Sequence, residues 1–191
     1  KASRDVCTGE IIQTQGRFDL KLDREGYFRI IEMKTGALFA AATELAAALA
    51  GASKETQQSL YSYGMKLGTA YQIYDDCVDL VGQEAAIGKT LGTDLQRGKL
   101  TLPVINLLES VSPEQRSSIE ALILADEPLD ASALGGIADH RSALTAATET
   151  ASALLDEARA ELIGVPENAN KDALMQITHY LDGLLADCAS K

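Results

Sequence analysis

Apolar residues recur every three to four positions through most of the chain, a spacing that places them on one face of an α-helix. The alternation that is typical of a half-buried strand is missing, and no hairpin turn signal stands out. Polar capping residues, Asp23, Ser53 and Ser112, come directly before three of the periodic stretches. The predicted helices span residues 2–16, 24–50, 54–81, 104–111, 113–124, 137–164 and 170–188, with a loop over 126–136. The pattern therefore predicts an all-α fold.

Composition agrees with packed helices. Hydrophobic residues make up 46% of the chain, but only 5% of residues are aromatic and there is no Trp. Alanine and leucine dominate instead, and both favour helices. A chain of 191 residues is long enough to bury a substantial core in a single domain. We expect residues 1–191 to form one helical domain.

The predicted helix over 24–50 carries a cation within its apolar stripe. The stripe consists of Tyr27, Ile30, Ile31, Leu38, Ala41, Ala42, Leu45 and Leu49. Lys34 falls close to its centre. A buried ammonium needs a partner or a substrate anion, although a lysine can also extend its stem and place its charge at the helix edge. Thr35, the next residue, offers a hydroxyl beside it.

Acidic residues concentrate at the end of the helix predicted over 54–81. Gln72, Asp75, Asp76 and Asp79 fall within about 100° of arc on a helix, and no Lys or Arg occurs between Lys66 and Lys89. Anions in the last turn of a helix oppose its dipole, and like charges one turn apart repel each other. A cluster of carboxylates without His or Cys suits Mg²⁺. The alternative is a solvated acidic face.

Glycines and lysines follow this acidic helix end. They are Gly88, Lys89, Gly92, Gly98 and Lys99, and Thr101-Leu102-Pro103 comes directly after them. Glycine lets a backbone turn back towards the acids, and both lysines can then meet anionic oxygens held by a metal. The GxxxxGK[ST] pattern of a P-loop is absent.

These residues carry a specific resemblance to a known family. The matching pattern is Gln72-x-x-Asp75-Asp76-x-x-Asp79, Gly88-Lys89 and Gly92-x-Asp94-x-x-x-Gly98-Lys99-x-Thr101-Leu102-Pro103. It closely resembles the second aspartate-rich region of the trans-isoprenyl diphosphate synthases, also called polyprenyl synthetases. Lys34-Thr35 resembles the Lys-Thr motif with which that family holds an allylic diphosphate. Gly9-Glu10-x-x-Gln13 fits an acidic or amide pair that lines the family's cavity, although an ordinary polar helix face is equally consistent.

The resemblance implies a helical bundle of the isoprenoid synthase type and a Mg²⁺-dependent prenyltransferase. Such an enzyme condenses an allylic diphosphate with isopentenyl diphosphate to a longer trans-polyprenyl diphosphate, and is commonly a homodimer. The implied Mg²⁺ ligands are Asp75, Asp76 and Asp79. The implied diphosphate-binding residues are Lys34, Thr35, Gln72, Lys89 and Lys99, and the implied catalytic residues are Lys34, Asp75 and Asp76.

The match covers only the C-terminal half, or somewhat more, of a family member. The family's first aspartate-rich motif does not occur in these 191 residues, and the chain starts at Lys1 without Met. We therefore expect a piece of a longer protein that is incomplete for activity by itself.

Charge and cysteine content argue against several classes of protein. A net charge of −11 argues against nucleic acid as a partner, because phosphates need a basic surface. No apolar run reaches the length of a membrane span without a charge or a glycine. Cys7, Cys77 and Cys188 are widely spaced and form no CxxC, so neither a disulfide framework nor a zinc site is indicated. We expect an acidic cytoplasmic enzyme that obtains its positive charge from metal ions.

Three other interpretations stay open at this point. The chain can be a non-catalytic subunit of a two-component prenyl synthase, although Lys34, Asp75 and Asp76 are all retained. A terpene cyclase shares the all-α fold, but the ending Gly98-Lys99-x-Thr101-Leu102-Pro103 favours chain elongation. A helical interaction module with solvated acids would need no ligand.

Overall fold

The computed structural model describes residues 1–81, 93–125 and 134–190. Every regular element in these ranges is helical, which confirms the all-α prediction. The α-helices are α1 (Ala2–Gln15), α2 (Arg24–Ile31), α3 (Ala37–Leu49), α4 (Lys54–Val81), α5 (Thr93–Gln96), α6 (Leu102–Ser110), α7 (Pro113–Ile123), α8 (Arg141–Glu161) and α9 (Ala169–Ala189). A π-helical turn, Glu32–Gly36, joins α2 to α3. Most of the loop predicted over 126–136 lies outside the described residues.

Helix α4 is the central element of the fold. It packs most extensively against α3 and α8, and it also contacts α6, α9 and the π-helical turn. Tyr63, Ala70, Ile73 and Cys77 follow one another at intervals of three to seven residues along α4, and all four are fully buried. Because this stripe continues to the C-terminal end of the helix, the acidic residues of the last turns are held against the core.

The capping residues expected from the sequence occupy their positions. The Asp23 side chain accepts a hydrogen bond from the Gly26 amide at 2.8 Å, and Ser53 Oγ accepts one from the Thr56 amide at 3.2 Å. Ser112 forms a capping box with Gln115. These bonds satisfy amide groups that the helix itself leaves without acceptors, which is why α2, α4 and α7 begin where the sequence predicts.

The single helix predicted over 24–50 is wrong in one respect, because the π-helical turn interrupts it. Such a turn contains an additional residue and rotates everything that follows it. Leu38, Leu45 and Leu49, predicted as buried, are 51%, 60% and 89% exposed, whereas Ala40 and Ala47 are buried. Helix α3 therefore presents alanines, rather than leucines, to the core.

Helix α8 begins later and ends earlier than predicted, at Arg141 instead of 137 and at Glu161 instead of 164. The preceding residues form a turn in which the Ile137 amide donates to the Leu134 carbonyl at 2.9 Å. The side chain of Gln115 donates to the Ile137 carbonyl at 3.0 Å and so ties this turn to α7. The apolar periodicity continues through the turn, and this explains why the sequence pattern extends the helix too far.

Glycines let α3 and α4 approach each other at backbone distance. A Cβ atom added at Gly64 would lie 2.6 Å from the carbonyl oxygen of Phe39 and would also clash with Thr43 Oγ1. We expect Gly64→Ala to lower the free energy of unfolding by about 1–3 kcal/mol, because the backbones must separate. Urea denaturation followed by circular dichroism measures the change.

Gly183 in α9 is a matched control, since a Cβ atom there meets no heavy atom within 4 Å. Gly183→Ala should raise the free energy of unfolding by about 0.5–1 kcal/mol, the ordinary gain from replacing glycine inside a helix. Equal effects of the two substitutions would contradict the close packing of α3 on α4.

Candidate functional site

The three aspartates near the end of α4 have different surroundings. Asp76 is 1% exposed and Asp79 is 6% exposed, whereas Asp75 is only partly buried. The sequence predicts that all three share one face of the helix, and the structure turns Asp76 and Asp79 towards the protein. Their carboxylates are therefore held by protein donors.

The Asp76 carboxylate accepts hydrogen bonds from three segments of the chain. The hydroxyl of Tyr27 in α2 lies 2.7 Å from Oδ2, and the amide of Gln72 in α4 lies 3.0 Å from Oδ1. The ammonium of Lys99 lies 3.3 Å from Oδ1. Burial raises the pKa of the Asp76 carboxyl, and Lys99, Tyr27 and Gln72 offset only part of this rise. Asp76 thus connects α2 and α4 with the segment that follows α5.

Lys99 is shared between two carboxylates. Its ammonium lies 2.8 Å from Asp94 Oδ2 in addition to its contact with Asp76. Burial by itself would lower the pKa of Lys99, but Asp76 and Asp94 together raise it well above its ordinary value. The ammonium consequently keeps its charge.

Asp79 is bound by the beginning of α5. The Asp94 amide donates to Asp79 Oδ2 at 3.0 Å, and the Thr93 hydroxyl lies 3.3 Å from Oδ1. Among the described residues, Asp76 and Asp94 thus share a single ammonium, that of Lys99. The described part of the site carries an excess of negative charge.

A backbone contact between Phe18 and Gly98 holds the adjacent Lys99 in place. Phe18 and Gly98 both adopt positive φ angles, 61° and 68°. The Phe18 amide donates to the Gly98 carbonyl at 2.7 Å, and the Phe18 ring lies over Gly98 so closely that a Cβ there would come within 2.5 Å of it. Only glycine combines this conformation with this contact. The position of the lysine next to Gly98 is therefore fixed by the connection between α1 and α2.

The π-helical turn presents Lys34 and Thr35 to the site. The Thr35 hydroxyl donates to Gln72 Oε1 at 2.7 Å, so that Thr35, Gln72, Asp76 and Lys99 form one chain of hydrogen bonds. Lys34 makes no contact in this chain. The Lys34 side chain is 31% exposed, and its ammonium binds side chains of α1 instead. The structure therefore brings Thr35, Gln72, Asp76 and Lys99 together and holds Lys34 beside them.

An open, mainly apolar groove begins at Lys34 and Thr35. Its volume is about 520 Å³, and its other lining residues are Val6, Cys7, Glu10 and Ile11. The groove places apolar surface directly beside the ammonium of Lys34 and the hydroxyl of Thr35. A ligand with an anionic head and an apolar tail matches this combination.

Lys89, which the sequence places among the diphosphate-binding residues, lies outside the described residues, as do Gly88 and Gly92.

The carboxylates of the site offer the oxygen ligands that Mg²⁺ prefers. Within residues 1–81, 93–125 and 134–190, no three acidic, His or Cys side chains converge on one point in the manner of a preformed metal cage. Magnesium does not need such a cage, because it commonly binds one or two carboxylates and completes its shell with waters and substrate phosphates. A carboxylate can accept about four hydrogen bonds or ligands, and Asp76 accepts three from described residues. The donor chemistry fits Mg²⁺.

Two residues of the site are missed by sequence reasoning. Tyr27 is assigned to the apolar stripe alone, and Asp94 is noted only as part of a motif. A buried tyrosine generally needs a partner for its hydroxyl, so its place within an otherwise aliphatic stripe is a usable signal. Nothing in the local sequence indicates that Asp94 binds Lys99.

Known proteins and solved structures are similar to this chain over most of its length. The family model described as Polyprenyl synthetase matches residues 1–135. An octaprenyl diphosphate synthase of Escherichia coli is 32% identical over 182 residues, which cover 91% of this chain and 54% of that protein. Among solved structures, a decaprenyl diphosphate synthase from Rhodobacter capsulatus has a TM-score of 0.86 at 32% identity, with 96% of this chain and 57% of that chain covered.

A second solved structure contains ligands. It is a polyprenyl synthase from Caulobacter crescentus complexed with calcium and isoprenyl diphosphate, with a TM-score of 0.84 at 32% identity over 95% of this chain and 56% of that chain. The present chain thus spans about half the length of the proteins it matches. None of the described helices is long and apolar enough to cross a membrane.

The hydrogen bond from Tyr27 to Asp76 generates a testable prediction. Tyr27→Phe should lower the free energy of unfolding by about 1.5–3 kcal/mol, because it removes a donor from a buried carboxylate. Tyr63→Phe is the matched control, since Tyr63 is equally buried but donates to a neutral acceptor, the Leu174 carbonyl, at 2.8 Å. Its loss should be only about 0.5–1.5 kcal/mol. Chemical denaturation of both variants makes the comparison, and an equal loss would contradict a charged Asp76.

Proposed function

Because the chain belongs to the polyprenyl synthetase family, we propose that it forms the diphosphate-binding side of a Mg²⁺-dependent prenyltransferase. The enzyme joins an allylic diphosphate to isopentenyl diphosphate and yields a longer trans-polyprenyl diphosphate. The observation that carries the proposal is the hydrogen-bonded chain from Thr35 through Gln72 and Asp76 to Lys99, with Lys34 and an apolar groove beside it. This arrangement supplies donors for a diphosphate and surface for a hydrocarbon tail.

Each residue has a role in binding. Lys34, Thr35 and Gln72 hold oxygens of the allylic diphosphate. For this, the Thr35 hydroxyl turns from Gln72 Oε1 to the ligand when it binds, because a hydroxyl has a single donor hydrogen. Lys99 neutralises part of the charge on Asp76 and Asp94 and contributes to the diphosphate site. Lys89 is proposed as a further diphosphate ligand on the strength of the family resemblance.

Mg²⁺ would be held by Asp75, Asp76 and Asp79, directly or through water, and would supply positive charge to the departing diphosphate. The chain's acidic surplus needs such a cation, because Lys99 is the only ammonium in direct contact with Asp76 or Asp94 among the described residues. A polyprenyl synthase of similar fold has been solved with calcium and isoprenyl diphosphate, which supports the involvement of a divalent cation.

The reaction breaks the bond between C1 of the allylic group and the diphosphate oxygen, and the diphosphate leaves with the electron pair. Lys34 and Thr35 stabilise the negative charge that develops on that oxygen. The double bond of isopentenyl diphosphate then forms the new bond to C1, and one proton is lost from the product cation. No protein nucleophile takes part, so the residues act by positioning and by electrostatics.

We propose further that this chain corresponds to the C-terminal part of such an enzyme and that the first aspartate-rich motif lies outside residues 1–191. We also propose that the enzyme is a homodimer, as the family resemblance implies, and that it is cytoplasmic. A non-catalytic subunit or a helical interaction module would retain the fold but would not turn over substrate.

Turnover by the complete protein tests the metal site. Asp75→Ala should lower kcat at least about a hundredfold, because a charge-stabilising ligand is lost. The measurement is the formation of labelled product from isopentenyl diphosphate and an allylic primer. Asp156→Ala in α8 is the control, because Asp156 is an exposed acid paired with Arg159 at 2.7 Å. Equal activity of the two variants would refute the metal assignment.

Lys34→Ala tests the binding of the allylic substrate. The KM for the allylic diphosphate should rise at least about tenfold, since a charged hydrogen bond is removed, while the KM for isopentenyl diphosphate changes much less. Lys66→Ala is the control, because Lys66 also lies in an ion pair, with Glu161 at 2.7 Å. Equal rises in both KM values would contradict the role of Lys34.

A further inference from the structure

We infer that Glu10 and Gln13 of α1 are positioning residues for Lys34. They hold its ammonium at the mouth of the groove before the allylic diphosphate arrives. This inference rests on the proposed function, because it takes Lys34 as a ligand of the diphosphate.

Both side chains bind the same ammonium. Glu10 Oε2 lies 2.7 Å from Lys34 Nζ, and Gln13 Oε1 also lies 2.7 Å from it. Residues three positions apart lie on the same face of a helix, so α1 presents the two acceptors together. An ammonium has three N–H donors. Two of them are engaged by α1, and no other side chain in the described part of the protein binds this ammonium, so the third can meet a substrate oxygen.

The backbone fixes this arrangement as well. Gly9 is buried where α1 meets the π-helical turn, and a Cβ added there would come within 2.9 Å of the Lys34 amide nitrogen and 3.0 Å of Met33 Cβ. Any larger residue would push α1 away from the turn. The absence of a side chain at Gly9 therefore brings Glu10 and Gln13 within reach of the ammonium.

Contacts that restrict the side chain of a lysine at the edge of an open groove favour its binding to a ligand. Its long stem has many rotamers, and ordering them on binding reduces the affinity for a ligand. Lys34 is only partly exposed, but neither Thr35, Gln72, Asp76 nor Lys99 contacts its ammonium. Glu10 and Gln13 restrict the Lys34 stem before the diphosphate binds, so that less side-chain entropy is lost on binding.

The contact with Lys34 keeps the Glu10 carboxylate charged. Its hydrogen bond to Lys34 is the largest influence that lowers the pKa of the Glu10 carboxyl, and the charges of Lys34, Lys99 and Arg17 act in the same direction. Glu10 is therefore ionised beside the groove. An ionised carboxylate can hold Lys34, or it can compete with the diphosphate for Lys34, and the two roles predict opposite effects of its removal.

Steady-state kinetics of the complete protein with geranyl diphosphate and isopentenyl diphosphate separates these roles. We expect Glu10→Ala to raise the KM for geranyl diphosphate about fivefold, with kcat and the KM for isopentenyl diphosphate within about twofold of wild type. Glu10→Gln keeps an acceptor at the same place and should restore the KM to within about twofold. A lower KM in both variants would show competition and overturn the inference.

A double-mutant cycle then tests whether Glu10 acts through Lys34. In the Lys34→Ala background, Glu10→Ala should have no further effect on the KM for geranyl diphosphate. A persisting fivefold effect would overturn the inference. Glu157→Ala is the control, because Glu157 is an exposed acid 3.5 Å from Lys66 in a different ion pair, and it should change neither KM.

Thermal unfolding of each variant shows whether it is folded, and Glu10→Gln keeps the test valid if Glu10→Ala is not. An unchanged KM in folded Glu10→Ala would overturn the inference and leave the proposed function standing. If the wild-type protein forms no product at all, the proposed function fails first and the inference falls with it.

Discussion

The buried carboxylate of Asp76 is the group on which the rest of the site depends. A charge at 1% exposure is strongly unfavourable unless its oxygens are hydrogen-bonded and its charge is balanced. Tyr27, Gln72 and Lys99 meet both needs, and they come from α2, from α4 and from the segment after α5. The three segments can satisfy Asp76 only when they are packed together, so the site is complete only in the folded chain.

The same interaction bears on the proposed binding of a diphosphate by an acidic protein. The net charge is −11, and Lys99 is already committed to Asp76 and Asp94. Lys34 likewise has a carboxylate partner in Glu10. Both ammonium groups are thus held in place by anions before any ligand binds. A diphosphate entering this region needs additional positive charge, which a divalent cation on the aspartates would provide.

Local patterns were sufficient to predict much of this arrangement. The apolar spacing located α4 together with its acidic end, and capping chemistry located the starts of α2, α4 and α7 at Asp23, Ser53 and Ser112. These features depend on residues within one or two turns of each other. The Lys34-Thr35 pair was recognised by its motif and by the unusual place of a cation within an apolar stripe.

Features that depend on tertiary contacts were not predictable in this way. The π-helical turn shifts the register by a single residue, which the periodicity of the flanking stretches does not reveal, and this is why Leu38, Leu45 and Leu49 were wrongly expected in the core. The partners of Asp76 lie far away in the sequence: Tyr27 precedes it by 49 residues, and Lys99 follows it by 23.

The measurement that tests the central claim most directly is thermal unfolding of the protein with Mg²⁺ alone, with inorganic pyrophosphate alone and with both. A ligand that binds only the folded state raises the midpoint, so the account predicts a clear rise when both are present and little change with either alone. An identical midpoint under all three conditions would contradict a metal and diphosphate site at the end of α4.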